Sequence, residues 1–128
     1  MENEVKNGKY KDKYGNIRWY KDGKYHREDG PAIIEKDGSK AWYLNGNLNR
    51  EDGPAIELAS GSKYWYLDGK LHREDSPAIE YASGKKEWWV NGVEYTEEEF
   101  NQWLEKKLLN ENLLAILEEK PSVKKVKI

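Results

Sequence analysis

Two segments of the chain carry residues that can move protons. His26-Arg27-Glu28-Asp29 and His72-Arg73-Glu74-Asp75 each set an imidazole beside two carboxylates, the residue types of general acid–base work. A third segment, Asn49-Arg50-Glu51-Asp52, has an amide where the imidazole would be. Catalytic machinery is seldom repeated on every rung of a scaffold. Asp-Gly-Pro at 29–31 and 52–54 is also turn chemistry, with Pro fixing φ and removing a donor. The structural reading is favoured: Arg and the carboxylates bond turns and neighbouring copies, and Asp sets up an Asx-type turn. No catalytic residue is assigned. His26 and His72 lack paired ligand spacing, so no metal site is assigned. There is no Cys, Gly-rich phosphate loop or nucleophile elbow, and no cofactor is expected.

Those segments sit inside a repeat. Trp19, Trp42, Trp65 and Trp88 are 23 residues apart, as are Gly23, Gly46, Gly69 and Gly92, and Gly15, Gly38, Gly61 and Gly84. Pro-Ala recurs at 31–32, 54–55 and 77–78. Several independent columns in one register make a repeat architecture the primary reading. Within a copy, Ala55-Ile56-Glu57-Leu58 is a short alternating run, Ser60-Gly61 a turn and Lys63-Tyr64-Trp65-Tyr66-Leu67 an aromatic strand. Asp22-Gly23, Asn45-Gly46, Asp68-Gly69 and Asn91-Gly92 supply the positive φ values of tight type I′ hairpins. Ser76, where other copies have Gly30 and Gly53, indicates that this column does not require positive φ. Alternation puts Trp opposite the Tyr on either side of it. The Trp column is the expected core, and Tyr20, Tyr43, Tyr66 and Trp89 form the other face. One copy cannot bury its own face, so the copies stack.

The pattern Trp-Tyr-x-x-Gly-Lys-x-His-Arg-Glu-Asp-Gly-Pro-Ala resembles the MORN repeat, in a divergent variant seen in bacterial, phage and giant-virus proteins. The resemblance covers about residues 14–95. It implies β-hairpins stacked into an elongated sheet, and non-enzymatic roles in binding proteins or phospholipid surfaces. The Arg-Glu-Asp-Gly-Pro-Ala segment departs from the usual pattern, which weakens the carry-over of lipid binding.

Composition agrees with a thin aromatic core. The 128 residues suit one domain; six Trp and nine Tyr offset a hydrophobic content of 37 % and a mean hydropathy of −1.09, since each buried ring removes roughly 150–250 Å² from water. The net charge of −2 gives no global pull toward nucleic acid. No secretory signal or membrane span is visible, so the cytoplasm, or a host's if the protein is phage-encoded, is the expected compartment.

The ends differ from the repeats. Residues 1–13 read as an N-terminal cap, with Asn7-Gly8-Lys9-Tyr10 a shortened hairpin turn and Lys protecting an edge. Residues 96–120 read as a helical cap opened by a Thr96/Glu99 capping box. Phe100, Trp103, Leu104 and Leu108 form one apolar face, expected to cover the open end of the sheet. Leu109, Leu113, Ile116 and Leu117 project to the opposite side. Either the helix breaks near Asn110-Glu111-Asn112 and folds back, or one long helix carries a second stripe for a partner or a twin subunit. Pro121 is expected to end the helix, and residues 121–128 to form a basic tail or an added edge strand.

The sequence thus predicts a mainly β fold: antiparallel β-hairpin repeats stacked into an elongated sheet or solenoid over residues 14–95, closed by a C-terminal α-helical cap. The leading functional expectation is a non-enzymatic protein-interaction module, in one version a phage inhibitor of a host or defence protein. Its expected contact residues are Tyr20, Tyr43, Tyr66, Trp89, Arg27, Arg50 and Arg73, with Leu109, Leu113, Ile116 and Leu117 as a partner or homodimer stripe. If the Arg row is not neutralised by Glu28, Glu51 and Glu74, it could bind nucleic acid or a nucleotide beside the Tyr rings. Phospholipid binding is the further alternative.

Overall fold

The computed structural model describes the backbone of residues 4–123 and side chains through residue 119. It divides into two compact units, Met1–Tyr95 and Thr96–Ile128. The regular structure described in the first is all β. Its strands are β1 (Gly8–Lys11), β2 (Ile17–Lys21), β3 (Lys24–Tyr25), β4 (Ile33–Ile34), β5 (Lys40–Ala41), β6 (Tyr43–Leu44) and β7 (Asn47–Leu48). They continue as β8 (Ile56–Glu57), β9 (Lys63–Tyr64), β10 (Tyr66–Leu67), β11 (Lys70–Leu71), β12 (Ile79–Glu80), β13 (Lys86–Val90) and β14 (Val93–Tyr95). Pairing is antiparallel throughout. Ten strands form one open sheet in the order β1-β2-β4-β5-β8-β9-β12-β13-β14, with β3 beside β2. The hairpins β6–β7 and β10–β11 are separate two-stranded sheets.

Two kinds of turn generate this order. Asp22-Gly23, Asn45-Gly46, Asp68-Gly69 and Asn91-Gly92 have φ of 51/80, 49/85, 49/79 and 51/79°, the type I′ values that match the twist of a two-residue hairpin. The second turn is wider. Glu35 N–H donates to Ser39 O at 2.8 Å and Gly38 N–H to Glu35 O at 2.9 Å, with Gly38 at φ +96°. The same bonds recur at residues 58–62 and 81–85.

The aromatic strand is not continuous in the middle copies. It breaks at Trp42 and Trp65, where the chain leaves the large sheet for its hairpin. There the Trp N–H donates to the Ala55 or Ala78 carbonyl at 2.7 or 2.8 Å, and the Trp carbonyl accepts from Asn49 or His72 N–H. Trp19 and Trp88 stay within strands because each has a ladder partner, Lys9 and Tyr95 respectively. Across the large sheet, Lys40, Glu57, Lys63, Glu80 and Lys86 stand opposite one another in turn. Each neighbouring pair has opposite charge, which favours this register over one that sets like charges opposite.

The core is not the Trp column. Ala32, Ala55 and Ala78 are fully buried, while the four Trp are half-buried. A methyl group lets backbones approach closely, and the indoles of Trp19, Trp42 and Trp65 carry guanidiniums that must reach water. The N-terminal segment also differs from expectation. Asn7-Gly8 is not a hairpin turn: Gly8 opens edge strand β1, and Asn7 is absent from the positive-φ residues. Lys6 O accepts from Gly23 N–H at 2.9 Å, as Tyr25 O does from Gly46 N–H. This segment therefore supplies the arm that a preceding copy would have provided.

Among the described residues the second unit holds one helix, α1 (Glu97–Val123). Thr96 and Glu99 form both bonds of a capping box, at 2.9 and 3.1 Å, and Glu97, Glu98 and Glu99 place negative charge at the N-terminal end of the dipole. The break at Asn110-Glu111-Asn112 does not occur. Those residues cost only tenths of a kcal/mol each in helix propensity, and Lys107 pairs with Glu111 one turn on at 2.6 Å. Nor does Pro121 end the helix, which continues to Val123; near a terminus Pro forfeits one ladder bond. Leu109, Leu113, Ile116 and Leu117 are 50–60 % exposed. The basic tail or edge strand expected beyond Val123 lies outside the described residues. No described helix is long and apolar enough to cross a membrane.

The two glycine columns predict different tolerances. Gly46 sits at φ +85°, and Gly46→Ala should cost about 1–3 kcal/mol of stability through backbone strain. At Gly53, φ lies outside the left-handed region and an added Cβ would first meet the Arg50 guanidinium, at 2.9 Å, so Gly53→Ser should cost less, as Ser76 already occupies that column. Urea unfolding midpoints of the two variants check the order.

Candidate functional site

The residue types with chemical potential all converge on the segment after each of the first three hairpins, and these three copies share one arrangement around the Arg. Each Arg sits over the indole of its own copy: Arg27 over Trp19, Arg50 over Trp42 and Arg73 over Trp65, at 3.8, 3.8 and 3.7 Å from ring centre to guanidinium carbon. The Nε–H donates to Asp29, Asp52 or Asp75 at 2.9, 3.2 and 3.1 Å. Nη1 donates to the carbonyl of Pro31, Pro54 or Pro77 at 3.2, 3.0 and 3.1 Å. In the second and third copies it also reaches Glu57 at 3.0 Å and Glu80 at 3.1 Å. The Arg27 bond and charge hold the Asp29 carboxyl below the ordinary carboxylate range.

The Arg row is therefore neutralised, but not by the expected residues. Its partners are the Asp column and Glu57 and Glu80, rather than Glu28, Glu51 and Glu74. Alternation in the turn sends the carboxylate two residues after Arg back toward it, while Glu28 and Glu74 meet histidine instead. His26 Nε2 is 3.2 Å from Glu28 and His72 Nε2 is 2.9 Å from Glu74.

The other imidazole nitrogen explains why Asn can stand in this column. His26 Nδ1 accepts the Asn45 N–H and His72 Nδ1 the Asn91 N–H, both at 2.9 Å. Asn49 Oδ1 accepts the Asp68 N–H at 2.8 Å. Each bond clips one copy to the hairpin turn of the next. Asn7 Oδ1 does the same for Asp22 at 2.8 Å. Since Nδ1 accepts, the neutral ring carries its proton on Nε2, aimed at the glutamate. A second clip runs from Asn16 Oδ1, Ser39 Oγ and Ser62 Oγ to the N–H of Lys36, Ala59 and Ala82 at 2.7–2.9 Å. These residues share one repeat column, a signal that aligning the copies contains but that a search for catalytic types passes over.

The expected aromatic face is assembled in part. Tyr10–Tyr20, Tyr20–Tyr25 and Tyr25–Tyr43 have ring centres 5.4, 5.2 and 5.2 Å apart. Tyr20, Tyr43 and Tyr66 are half-buried, and burial pushes the hydroxyls of Tyr43 and Tyr66 up. Trp89 donates its indole N–H to Glu87 at 3.0 Å. With the Tyr81 hydroxyl at 3.1 Å, that bond holds the Glu87 carboxyl below its ordinary value. No group of three or more potential metal ligands occurs among the described residues.

Between the first two copies lies a groove of about 570 Å³. It is lined by Arg27–Pro31 of the first copy and by Trp42, Leu44 and Asn49–Asp52 of the second. The chain matches no known family model, no curated protein and no solved structure.

His72 and Glu87 give two tests. His72→Ala removes the acceptor and leaves the Asn91 N–H unpaired, at a cost of about 1–3 kcal/mol. His72→Asn keeps an acceptor, as Asn49 does, and should cost clearly less by urea unfolding. The Glu87 carboxyl is lowered in the folded state, so its contribution to stability is complete above the ordinary Glu range and is lost as pH falls through the lowered value. Glu87→Gln should flatten the acid limb of stability plotted against pH.

Proposed function

We propose that this chain is a non-enzymatic protein-interaction module built from MORN-like repeats. One observation carries the reading. Every side chain type that suggested catalysis has a scaffold duty: both imidazoles receive backbone N–H groups of the next copy, and the guanidiniums are committed to Trp, Asp and a Pro carbonyl. What the repeats leave for function is surface. The half-buried Tyr20, Tyr43 and Tyr66, with Trp89, supply rigid amphipathic rings of the kind enriched at interfaces. The exposed Leu109, Leu113, Ile116 and Leu117 offer a second surface to a partner or to another copy of the chain. The resemblance to phage repeat proteins makes an inhibitor of a host or defence protein one form of this function.

Binding of nucleic acid by the Arg row is less well supported, because the acceptors around each guanidinium already balance its charge. Phospholipid binding rests on the resemblance alone.

Affinity purification of the full chain followed by mass spectrometry tests the reading. A protein should be recovered in stoichiometric amount, and a Tyr43→Ala/Tyr66→Ala variant that still melts cooperatively should recover at least about tenfold less, a loss of roughly 1.4 kcal/mol. Recovery unchanged by that variant would remove the Tyr face. Capture of nucleic acid alone, weakening steeply with salt, would replace the reading with the polyanion one.

A further inference from the structure

Histidine and asparagine do the same job at the junctions between copies, but they answer acid differently. The clip asks one thing of the side chain, a lone pair aimed at a backbone N–H of the next hairpin turn. His26 Nδ1 supplies it to Asn45 and His72 Nδ1 to Asn91, both at 2.9 Å. Asn7 and Asn49 supply it from amide oxygens to Asp22 and Asp68, both at 2.8 Å. An amide oxygen keeps its lone pairs whatever the pH. Imidazole ordinarily changes charge between about pH 5 and 8, and in the charged ring both nitrogens are donors. The turn residue changes with the clip: Asp22 and Asp68 meet Asn, while Asn45 and Asn91 meet His. A protonated ring therefore faces an amide on that turn residue, where a carboxylate would have held it in place.

We propose that His26 and His72 are acid-releasable clips, so that acid loosens the second and fourth hairpin turns and spares the first and third. The neutral ring links two groups: Nε2–H points at Glu28 or Glu74, and Nδ1 accepts from the next turn. A second proton keeps the first bond, now charge-assisted, and sets N–H against N–H at the other. The two side chains are 10 and 8 % exposed, so either the ring or the turn must move. The turn gives way, because Asn45 and Asn91 are exposed and water can take over their N–H groups. The charged groups around each ring do not replace the lost acceptor. Glu28 and Glu74 stay at Nε2. Arg27 and Arg73 are turned to the indoles. Lys24 and Lys70, whose stems lie beside Gly46 and Gly92 of the clipped turns, are donors themselves. The junction's backbone bonds remain: Gly46 N–H to Tyr25 O and Arg27 N–H to Tyr43 O at 2.9 and 3.1 Å, and Gly92 N–H to Leu71 O and Arg73 N–H to Trp89 O at 2.8 and 3.1 Å. Acid thus frees a turn without unfolding a copy. Tyr43 and Trp89 stand two residues before the released amides, which places the change beside the aromatic row.

The test follows the full chain, labelled with ¹⁵N, by NMR from about pH 8 to about pH 5. At the upper end both rings should show the Nε2–H tautomer. As the imidazole nitrogens titrate, the Asn45 and Asn91 amides should shift with them. Those amides should also lose about fivefold or more in hydrogen-exchange protection, the equivalent of one net hydrogen bond. The Asp22 and Asp68 amides should keep theirs. His72→Asn should make the Asn91 amide indifferent to pH and leave the Asn45 response intact. Asn49→His should confer the response on the Asp68 amide. Asn45 and Asn91 amides that stay fixed while the rings titrate overturn the proposal. So do rings that do not titrate before the chain unfolds, an Nδ1–H tautomer at the upper end, or an equal response at Asp68 in the wild-type chain. Should Asn49→His not fold, a His72→Asn chain whose Asn91 amide still follows pH overturns it equally. None of these outcomes depends on whether a protein partner is captured, so the clips and the interaction reading stand or fall separately.

Discussion

A guanidinium lying over an indole holds each of the first three copies of the repeat in shape. The contact alone contributes about 0.5–2 kcal/mol, depending on how far water is excluded, and each hydrogen bond of a charged donor about 1.5–3. Its importance is geometric as well. The Arg planar fork reaches an aspartate with one edge and a proline carbonyl with another while its face stays on the Trp ring. The turn, the aromatic strand and the run after the hairpin are thereby fixed to one another by a single side chain. A lysine could supply the charge but neither the fork nor the flat face. The same contact keeps the Trp column out of the core, because an indole that supports a cation must stay near solvent. Burial then falls to the smallest side chain in the repeat, the alanine that follows proline.

Between copies the ties are of another kind. Backbone amides at the start of each hairpin turn meet the His or Asn of the preceding copy, and amides of the wide turn meet its Asn or Ser. Both are side-chain acceptors placed on otherwise solvent-facing N–H groups, so a short strand of two residues suffices where a longer ladder would be needed. Charge alternation from Lys40 to Lys86 across the large sheet acts in the same direction.

Much of this was visible in the sequence wherever the copies agree. The four Asn/Asp-Gly pairs announce their turns, because these residues accept the positive φ at both positions of a type I′ hairpin, whose twist matches the flanking strands. Thr96 and Glu99 announce the helix start. The split of the aromatic strand at Trp42 and Trp65 was hidden, since a bond to the next turn instead of to a ladder leaves no mark on residue type. The choice of Asp over Glu as the arginine partner was hidden too: both are adjacent carboxylates, and only the turn decides which one points back. The interchange of His26, Asn49 and His72 looked like loss of a catalytic residue; as hydrogen-bond acceptors at Nδ1 and Oδ1 the two side chains are equivalent. An unbroken helix through Asn110 was one of two open readings, and it holds because Asn and Glu cost only tenths of a kcal/mol in a helix interior; its continuation past Pro121 to Val123 went unforeseen.

The clips join residues only nineteen or twenty positions apart. For a β protein that is a short closure. Sheets usually fold slowly because their pairings demand large loops before any contact rewards them. Here each junction can close on its own, and a closed junction presents the next with a preformed edge. Order can start at any copy and spread in either direction, so the chain acquires a many-stranded sheet at the kinetic cost of a single hairpin pair.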